Sequence, residues 1–324
     1  MTRVLVTNDD GIESAGLHLL AAGLDEAGFD VTVVAPDCDR SGIGAAIGLV
    51  HADQHLDVEK VEIPGCEHIT AYAIDGPPGL CVCAGRLGAF GDPPDIVVSG
   101  VNPGCNTGRA ILHSGTVGAA LTAQSFGCSA LAVSVGVSDP YRFDTAVRIA
   151  LDVLPMLLDA PARSVLNLNV PALDYGDVLG VRWARLAAFG SVRAAIAEAG
   201  SGGLQFELRA TGVPAPPDSD QGLVDAGYAS LTTIVGVAEA WPTEITGSAE
   251  VSSAVVPGAV VESVHAVPDA SAPRSLHRPL HATTQNPAES NPRPDTHRGR
   301  KCEGARRRPD DATWVAARVR LPCA

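Results

Sequence analysis

Two adjacent carboxylates, Asp9 and Asp10, follow the short apolar run Val4-Leu5-Val6-Thr7-Asn8 and precede Gly11. Carboxylates this close repel one another, and one stays protonated unless a cation neutralises the pair. Neighbouring side chains on a strand point to opposite faces. The pair therefore reaches one ion only if the strand ends there and the backbone turns, which Gly11 permits. Such hard oxygen ligands suit one divalent ion, Mg²⁺ or Mn²⁺, better than zinc. The competing reading is a solvated turn, since Asp-Asp-Gly is ordinary turn chemistry.

Two later loops have a similar character. Pro36-Asp37-Cys38-Asp39-Arg40-Ser41-Gly42 also follows a β-branched run. Its Asp37-x-Asp39 could be a metal pair of the kind nucleotide-sugar glycosyltransferases use, or Arg40 and Ser41 could face a phosphate or the metal. The third loop runs Ser99-Gly100-Val101-Asn102-Pro103-Gly104-Cys105-Asn106-Thr107-Gly108, and His113-Ser114-Gly115-Thr116-Val117 follows closely. Its glycines let backbone amides approach a ligand, and its asparagines offer neutral carbonyl and amide groups. Ser114-Gly115-Thr116 then opens a helix, whose free N–H groups and dipole attract phosphate. There is no Gly-Lys-Ser/Thr and no Gly-x-Gly-x-x-Gly after the first strand, so neither an NTPase nor a dinucleotide site is indicated.

The elements that must hold these loops alternate. Ser14 is a plausible N-cap for a helix that ends at Gly28, and Asp30 to Ala35 is a second buried strand stopped by Pro36. Strand, helix and strand in this order form a βαβ unit. Short strands are expected over 45–75, including Ile69 to Ile74, and a helix over Pro77 to Leu87. Ile96 to Ser99 is a third core strand before a loop from Gly100 to Ser114. Helix Thr116–Phe126, strand Leu131–Val135, helix Phe143–Leu158 and strand Val165–Asn169 follow. Residues 178–189 and 203–210, separated by a Gly/Ser-rich turn, suggest a hairpin or arm, and Tyr228–Val235 one more strand. The predicted fold is α/β: a Rossmann-like, doubly wound, mostly parallel sheet with a C-terminal β appendage for oligomerisation. The expected domain is 1–246, with a core over 1–171 and appended strands over 172–246.

Composition bounds the partners. Residues 241–324 hold 11 Lys/Arg against 9 Asp/Glu, which leaves 12 against 28 in residues 1–240. An acidic body argues against nucleic-acid binding by bulk electrostatics, yet a bound cation would still admit a small phosphorylated substrate. The eight cysteines form no dense framework, and Cys81-x-Cys83 has the wrong spacing for a zinc knuckle or redox pair. No apolar stretch approaches the roughly 20 residues of a bilayer span. These features, with no signal peptide, predict a cytoplasmic protein without membrane contact. Beyond about residue 247 periodicity fades, and 10 of the 24 prolines lie in residues 241–324, so 247–324 reads as a disordered Pro/Arg-rich tail.

Taken together, Asn8-Asp9-Asp10-Gly11, Pro36-Asp37-x-x-Arg40-Ser41-Gly42, Ser99-Gly100-Val101-Asn102-x-Gly104-x-Asn106-x-Gly108, Ser114-Gly115-Thr116-Val117 and Asn167-Leu168-Asn169-Val170-Pro171 resemble, in order, the SurE family. These are the stationary-phase survival proteins, metal-dependent 5′/3′-nucleotidases and phosphomonoesterases. Asp220 with Asp225-Ala226-Gly227-Tyr228 resembles the family's late segment. The resemblance implies Asp9, Asp10, Ser41 and Asn102 as metal ligands. It implies a phosphate pocket lined by Asn8, Asn106, Ser114, Gly115 and Thr116, with Asp9, Asp10, Asn106 and Ser114 at the chemistry. It also implies a homodimer or homotetramer assembled through C-terminal arms.

Three departures from the family pattern bear on substrate preference. Gly79-Leu80 stands where an acid is usual, His113 where Tyr is common, and Thr122-Ala123 where Glu-Gly is common. His113 could assist a leaving group or serve as a structural hydrogen-bonder. The implied reaction is hydrolysis of nucleoside 5′- and possibly 3′-monophosphates. Alternatives are a glycosyltransferase using Asp37-x-Asp39 and a nucleotide sensor without turnover. An aspartyl-phosphate phosphatase is disfavoured, because its Asp-x-Asp at the first strand end is absent.

Overall fold

A computed structural model describes residues 1–48, 55–188, 192–200, 203–210 and 213–238. In chain order the elements are β1 (Arg3–Thr7), α1 (Ala15–Glu26), β2 (Asp30–Pro36), β3 (Val58–Val61), β4 (Thr70–Ile74) and α2 (Pro78–Arg86). Then come β5 (Ile96–Pro103), a 3-10 turn at Gly108–His113, α3 (Gly115–Ser125), β6 (Ser129–Val135), α4 (Phe143–Leu158) and β7 (Val165–Val170). A short turn at Tyr175–Asp177, β8 (Val181–Trp183), β9 (Val192–Gly200), β10 (Gly203–Ala210), α5 (Asp220–Asp225) and β11 (Ala229–Ile234) complete them.

Nine strands form one sheet in the order β3-β4-β2-β1-β5-β6-β7-β11-β8. The strands from β4 to β7 pair in parallel, while β3 and β11 run antiparallel to β4 and β7. The chain leaves β1 for β2 on one side and later returns to place β5 on its other side. That reversal is the point where doubly wound sheets open a crevice beyond their strand ends, and Asp9 and Asn102 lie on its two lips.

Period-2 alternation sorts the core. Val4, Val6, Val33, Val98, Leu131 and Leu168 pack on one face with Leu17, Leu20 and Leu24 of α1 and Ala150, Val153 and Leu154 of α4. Leu5, Val34, Val97, Ala130 and Ala132 pack on the other face with Cys81 and Val82 of α2 and Val117, Ala119 and Ala120 of α3. α3 is buried along nearly its whole length, and its small residues let it approach the sheet closely.

Four details differ from the sequence reading. β5 does not stop at Ser99 but continues to Pro103, with a register shift against β6 between Ser99 and Asn102. Gly100 hid this continuation: its φ is +141°, and a Cβ there would lie 2.4 Å from the Val133 carbonyl oxygen, so only glycine fits the bulge. In the expected arm β10 pairs antiparallel with β9, and not with residues 178–189. The alanine-rich strand Val192–Gly200 lacks the β-branched signature that marks strands. Val181–Trp183 instead joins the main sheet beside β11, so residues beyond 171 complete the sheet. Finally, Ser14 occupies the N-cap of α1 in extended conformation, yet its side chain makes no capping bond. The expected tail over 247–324 lies outside the described residues.

Candidate functional site

The turn after β1 is built by Asn8. Its Nδ2 donates to the Gly11 carbonyl at 3.1 Å and its Oδ1 accepts from the Gly11 amide at 3.2 Å. This buried side chain is thereby committed to closing the turn that swings Asp9 and Asp10 beyond the strand end.

Asp9, only 3% exposed, faces the N-terminus of α3. Its Oδ2 accepts from the Gly115 amide at 3.1 Å and its Oδ1 from Thr116 Oγ1 at 2.6 Å. A Cβ on Gly115 would lie 2.6 Å from both Cβ and Oδ2 of Asp9, so the close approach requires glycine. Ser114 caps the helix, its Oγ accepting from the Val117 amide at 3.1 Å. The helix end thus serves two purposes. Gly115 and Thr116, read from sequence as phosphate contacts, here hold a carboxylate at the positive end of the helix dipole.

Burial pushes the Asp9 carboxyl up from its ordinary range, against the lowering effect of the Thr116 and Gly115 hydrogen bonds. Asp10 is pushed up to about 7 by burial, then by the neighbouring charges of Asp9 and Asp39. Asp10 Oδ2 is buried with no hydrogen-bond partner among the described residues. Two crowded acids, one with a bare oxygen, are groups that a cation would satisfy.

The Pro36–Gly42 loop docks on the same turn through the Arg40 amide, which donates to the Asp9 carbonyl at 2.7 Å. Its next turn touches α3, where a Cβ on Gly118 would fall 2.3 Å from the Gly44 carbonyl oxygen. Ser41 is carried between these two anchors. Asp37 and Asp39 are otherwise engaged, Asp37 with the Arg40 guanidinium at 3.2 Å and Asp39 with the Ser41 amide at 2.8 Å. At the end of β5, Asn102 donates its amide nitrogen to the Gly104 carbonyl, which leaves its own carbonyl oxygen as the end available to a cation.

The donor set Asp9, Asp10, Ser41 and Asn102 is all oxygen and fits a hard divalent ion. Among the described residues no cluster of three or more His, Cys, Asp or Glu could hold a metal. The candidate set has two acids and draws its remaining ligands from neutral side chains.

Asn106 is fixed from beneath. Its backbone amide donates to Asn169 Oδ1 at 2.7 Å, and its backbone carbonyl accepts from Asn167 and Asn169 Nδ2, both at 2.9 Å. Its side-chain Nδ2 donates to Ser134 Oγ at 2.9 Å. Strand register explains this floor: Ser134 pairs with Asn169 across β6 and β7, and Asn169 with Ser230 across β7 and β11. The Asn167-x-Asn169 spacing puts both amides on one face of β7, a signal present in the sequence to which no role had been attached. Two further residues went unassigned: Gln221 Oε1 accepts from Thr107 Oγ1 at 2.6 Å, and Asp220 Oδ2 from the Gly108 amide at 2.7 Å.

His113 is exposed, and its carbonyl accepts from the Gly44 amide at 3.1 Å. The departures at 79–80 and 122–123 meet one another between α2 and α3, since a Cβ on Gly79 would lie 3.1 Å from Thr122 Oγ1. Cys66, Cys81, Cys83, Cys105 and Cys128 are free thiols, and burial pushes Cys81 and Cys105 up to about 12.

Two adjacent buried acids at the switch point of a doubly wound sheet, flanked by the loops after β2 and β5 and backed by a helix N-terminus, mark an α/β protein whose candidate site lies at its strand ends. The chain matches the family described as Survival protein SurE over residues 4–191, and it belongs to that family. It is 41% identical over 189 residues to the 5′-nucleotidase SurE of Stenotrophomonas maltophilia strain R551-3, covering 57% of this chain and 69% of that protein. The 5′-nucleotidase SurE of Xanthomonas campestris pv. campestris strain B100 is 39% identical over 188 residues, with the same coverage. Among solved structures, the crystal structure of SurE protein from Aquifex aeolicus superposes with a TM-score of 0.62 at 27% identity, covering 75% of this chain and 96% of that one.

Proposed function

We propose that this chain is a metal-dependent phosphomonoesterase that hydrolyses nucleoside 5′-monophosphates, and 3′-monophosphates in the same site, to nucleoside and inorganic phosphate. The observation that carries the reading is the convergence of Asp9 and Asp10 on the N-terminus of α3, with Asp9 held by Gly115 and Thr116 and an Asp10 oxygen left bare. The named relatives are nucleotidases, and neither the glycosyltransferase nor the sensor reading finds support among them. The engagement of Asp37 and Asp39 within their own loop also weighs against the first.

Asp9, Asp10, Ser41 and Asn102 would hold one Mg²⁺ or Mn²⁺. When bound, such an ion neutralises phosphoryl charge and makes a coordinated water more acidic. The protein's own groups do the rest. Asn106, with one Nδ2 proton committed to Ser134, has its second to donate to a phosphoryl oxygen. Ser114 Oγ, an acceptor toward Val117, has its hydroxyl proton free for the same purpose. The N-terminus of α3 adds a fixed positive potential where charge develops. Of the two acids, Asp10 would offer the ion its unbonded oxygen, while Asp9 is held in place by Gly115 and Thr116.

A homodimer or homotetramer belongs to the same reading. Its support is a cavity of about 580 Å³ lined by Ile47, Leu112, Leu121, Phe126, Val235 and Val237, an apolar surface of the sort that marks association. A cytoplasmic location is supported by the free thiols of Cys66, Cys81, Cys83, Cys105 and Cys128; no helix among the described residues is long and apolar enough to cross a membrane.

The decisive experiment is phosphate release from a panel of mononucleotides with Mg²⁺ or Mn²⁺, comparing wild type with Asp9→Asn. The variant should lose activity by about 1000-fold or more, because metal and nucleophile are disturbed together. Retention of Mn²⁺-dependent phosphate release by Asp9→Asn would overturn the assignment.

A further inference from the structure

Asp220 is wholly buried, and its carboxylate is surrounded by backbone amides. Oδ2 accepts from Gly108 at 2.7 Å, and Oδ1 accepts from Ala187 at 2.9 Å and from its own neighbour Gln221 at 2.8 Å. A buried carboxylate is costly unless hydrogen bonds satisfy it, so its place here is set by those three donors. Beside it, Gln221 Oε1 accepts from Thr107 Oγ1, while Gln221 Nε2 donates to Asp225 at 2.7 Å. Both residues lie beyond residue 191, where the family match ends.

The geometry points to Asp220, with Gln221, as positioning residues that clamp the Asn102–Gly108 loop from α5. This rests on the reading above that the loop receives phosphate. Thr107 and Gly108 directly follow Asn106 and lead through the 108–113 turn to Ser114. The loop is therefore gripped on two sides. Ser134, Asn167 and Asn169 hold Asn106 from the sheet, and Asp220 and Gln221 hold the next two residues from the C-terminal segment. Neither α5 residue touches the metal ligands. Their effect is transmitted through the backbone, where a displacement of about 1 Å costs on the order of 100-fold in rate. The site is then complete only when residues 219–225 are folded against the core.

The test uses the full chain. Asp220→Asn replaces one acceptor oxygen with an amide that repels the N–H groups facing it, Thr107→Val severs only the Thr107–Gln221 bond, and Asp218→Asn on the exposed surface serves as control. We expect Asp220→Asn to lower kcat/KM by about 10- to 100-fold, with kcat falling more than KM rises. Thr107→Val should lower it several-fold, and the control should match wild type. Amide hydrogen exchange should accelerate at residues 106–108 in Asp220→Asn while β1 and β6 keep their protection. Should Asp220→Asn fail to fold, Thr107→Val with the same two readouts decides the matter. The clamp is overturned if folded variants keep kcat within about twofold of wild type or if exchange at 106–108 is unchanged. Absence of phosphatase activity in the wild type would sink the phosphomonoesterase reading alone, because the exchange measurement needs no turnover.

Discussion

Thr116 Oγ1 donates to Asp9 Oδ1 across 2.6 Å, 107 residues apart in sequence, and the adjacent Gly115 amide holds the other carboxylate oxygen. The two aspartates that look equivalent in sequence are therefore unlike. Asp9 is locked to the start of α3, while Asp10 retains a buried oxygen without a partner among the described residues. The lock also ties β1 to α3, so the carboxylate and the helix end are presented as one rigid unit.

Thr116→Val removes that donor at almost constant volume and leaves Asp9 Oδ1 buried without it. Losing a hydrogen bond to a charged group costs about 1.5–3 kcal/mol. Urea unfolding of the metal-free protein should show a loss of that size, and Thr116→Ser should recover most of it. A Thr116→Val protein as stable as wild type would show that Asp9 finds another partner.

The raised carboxyls predict how stability follows pH. Asp10 is pushed up to about 7 by burial and by Asp9, above the ordinary value of an unfolded aspartate near 4. The folded state then binds more protons than the unfolded state between those values. Its contribution is fully present below about pH 4 and is lost as pH rises through about 7. Metal-free protein should thus lose stability from Asp10 between about pH 4 and 7. The increase in Tm on adding Mn²⁺ should be larger at pH 8 than at pH 5.5, because at the lower pH protons compete for the same oxygens. Calorimetry at both pH values, with and without metal, measures this; an equal increase at both would contradict it.

Asn169→Ala tests the floor beneath Asn106. The substitution removes the acceptor of the Asn106 amide and one donor to its carbonyl. Leaving such groups unsatisfied costs about 1–3 kcal/mol, and kcat/KM should fall by about tenfold. Because Asn169 acts through Asn106, the double variant with Asn106→Ala should lose less than the sum of the two single effects, as coupled residues do. Strict additivity would mean that Asn169 only stabilises the sheet.

What the sequence disclosed and concealed follows from distance along the chain. The turn at Asn8-Asp9-Asp10-Gly11 and the start of α3 at Ser114 are local patterns, set by an apolar run that ends in acids and by a serine cap, and both stand where expected. The continuation of β5 through Gly100 was hidden because glycine ordinarily signals a break, and here it lets the strand pass against Val133. The alanines of β9 concealed a strand for a related reason, since strand formation there depends on pairing with β10 rather than on propensity. Most hidden were the contacts that cross the chain. That a helix amide would hold Asp9, and that Asp220 would reach back 112 residues to Gly108, are consequences of packing that no local window contains.

Gly118→Ala probes whether Ser41 belongs to the metal site. Gly118 lies in α3 against the loop that carries Ser41, and an added Cβ would fall 2.3 Å from the Gly44 oxygen and 2.6 Å from the Ala45 nitrogen. Those neighbours are backbone, so the segment following Ser41 has to move away from the helix. Asp9, held by Gly115 and Thr116, should stay in place. Mn²⁺ affinity measured by calorimetric titration should therefore fall, by about tenfold if one of the ligand oxygens is displaced, which corresponds to about 1.4 kcal/mol. Circular dichroism should remain that of the wild type, since alanine is a better helix former than glycine at an interior position. Ser41→Ala should weaken Mn²⁺ binding to a similar degree, and the two substitutions combined should add little to either alone. Unchanged affinity in both variants would remove Ser41 from the ligand set.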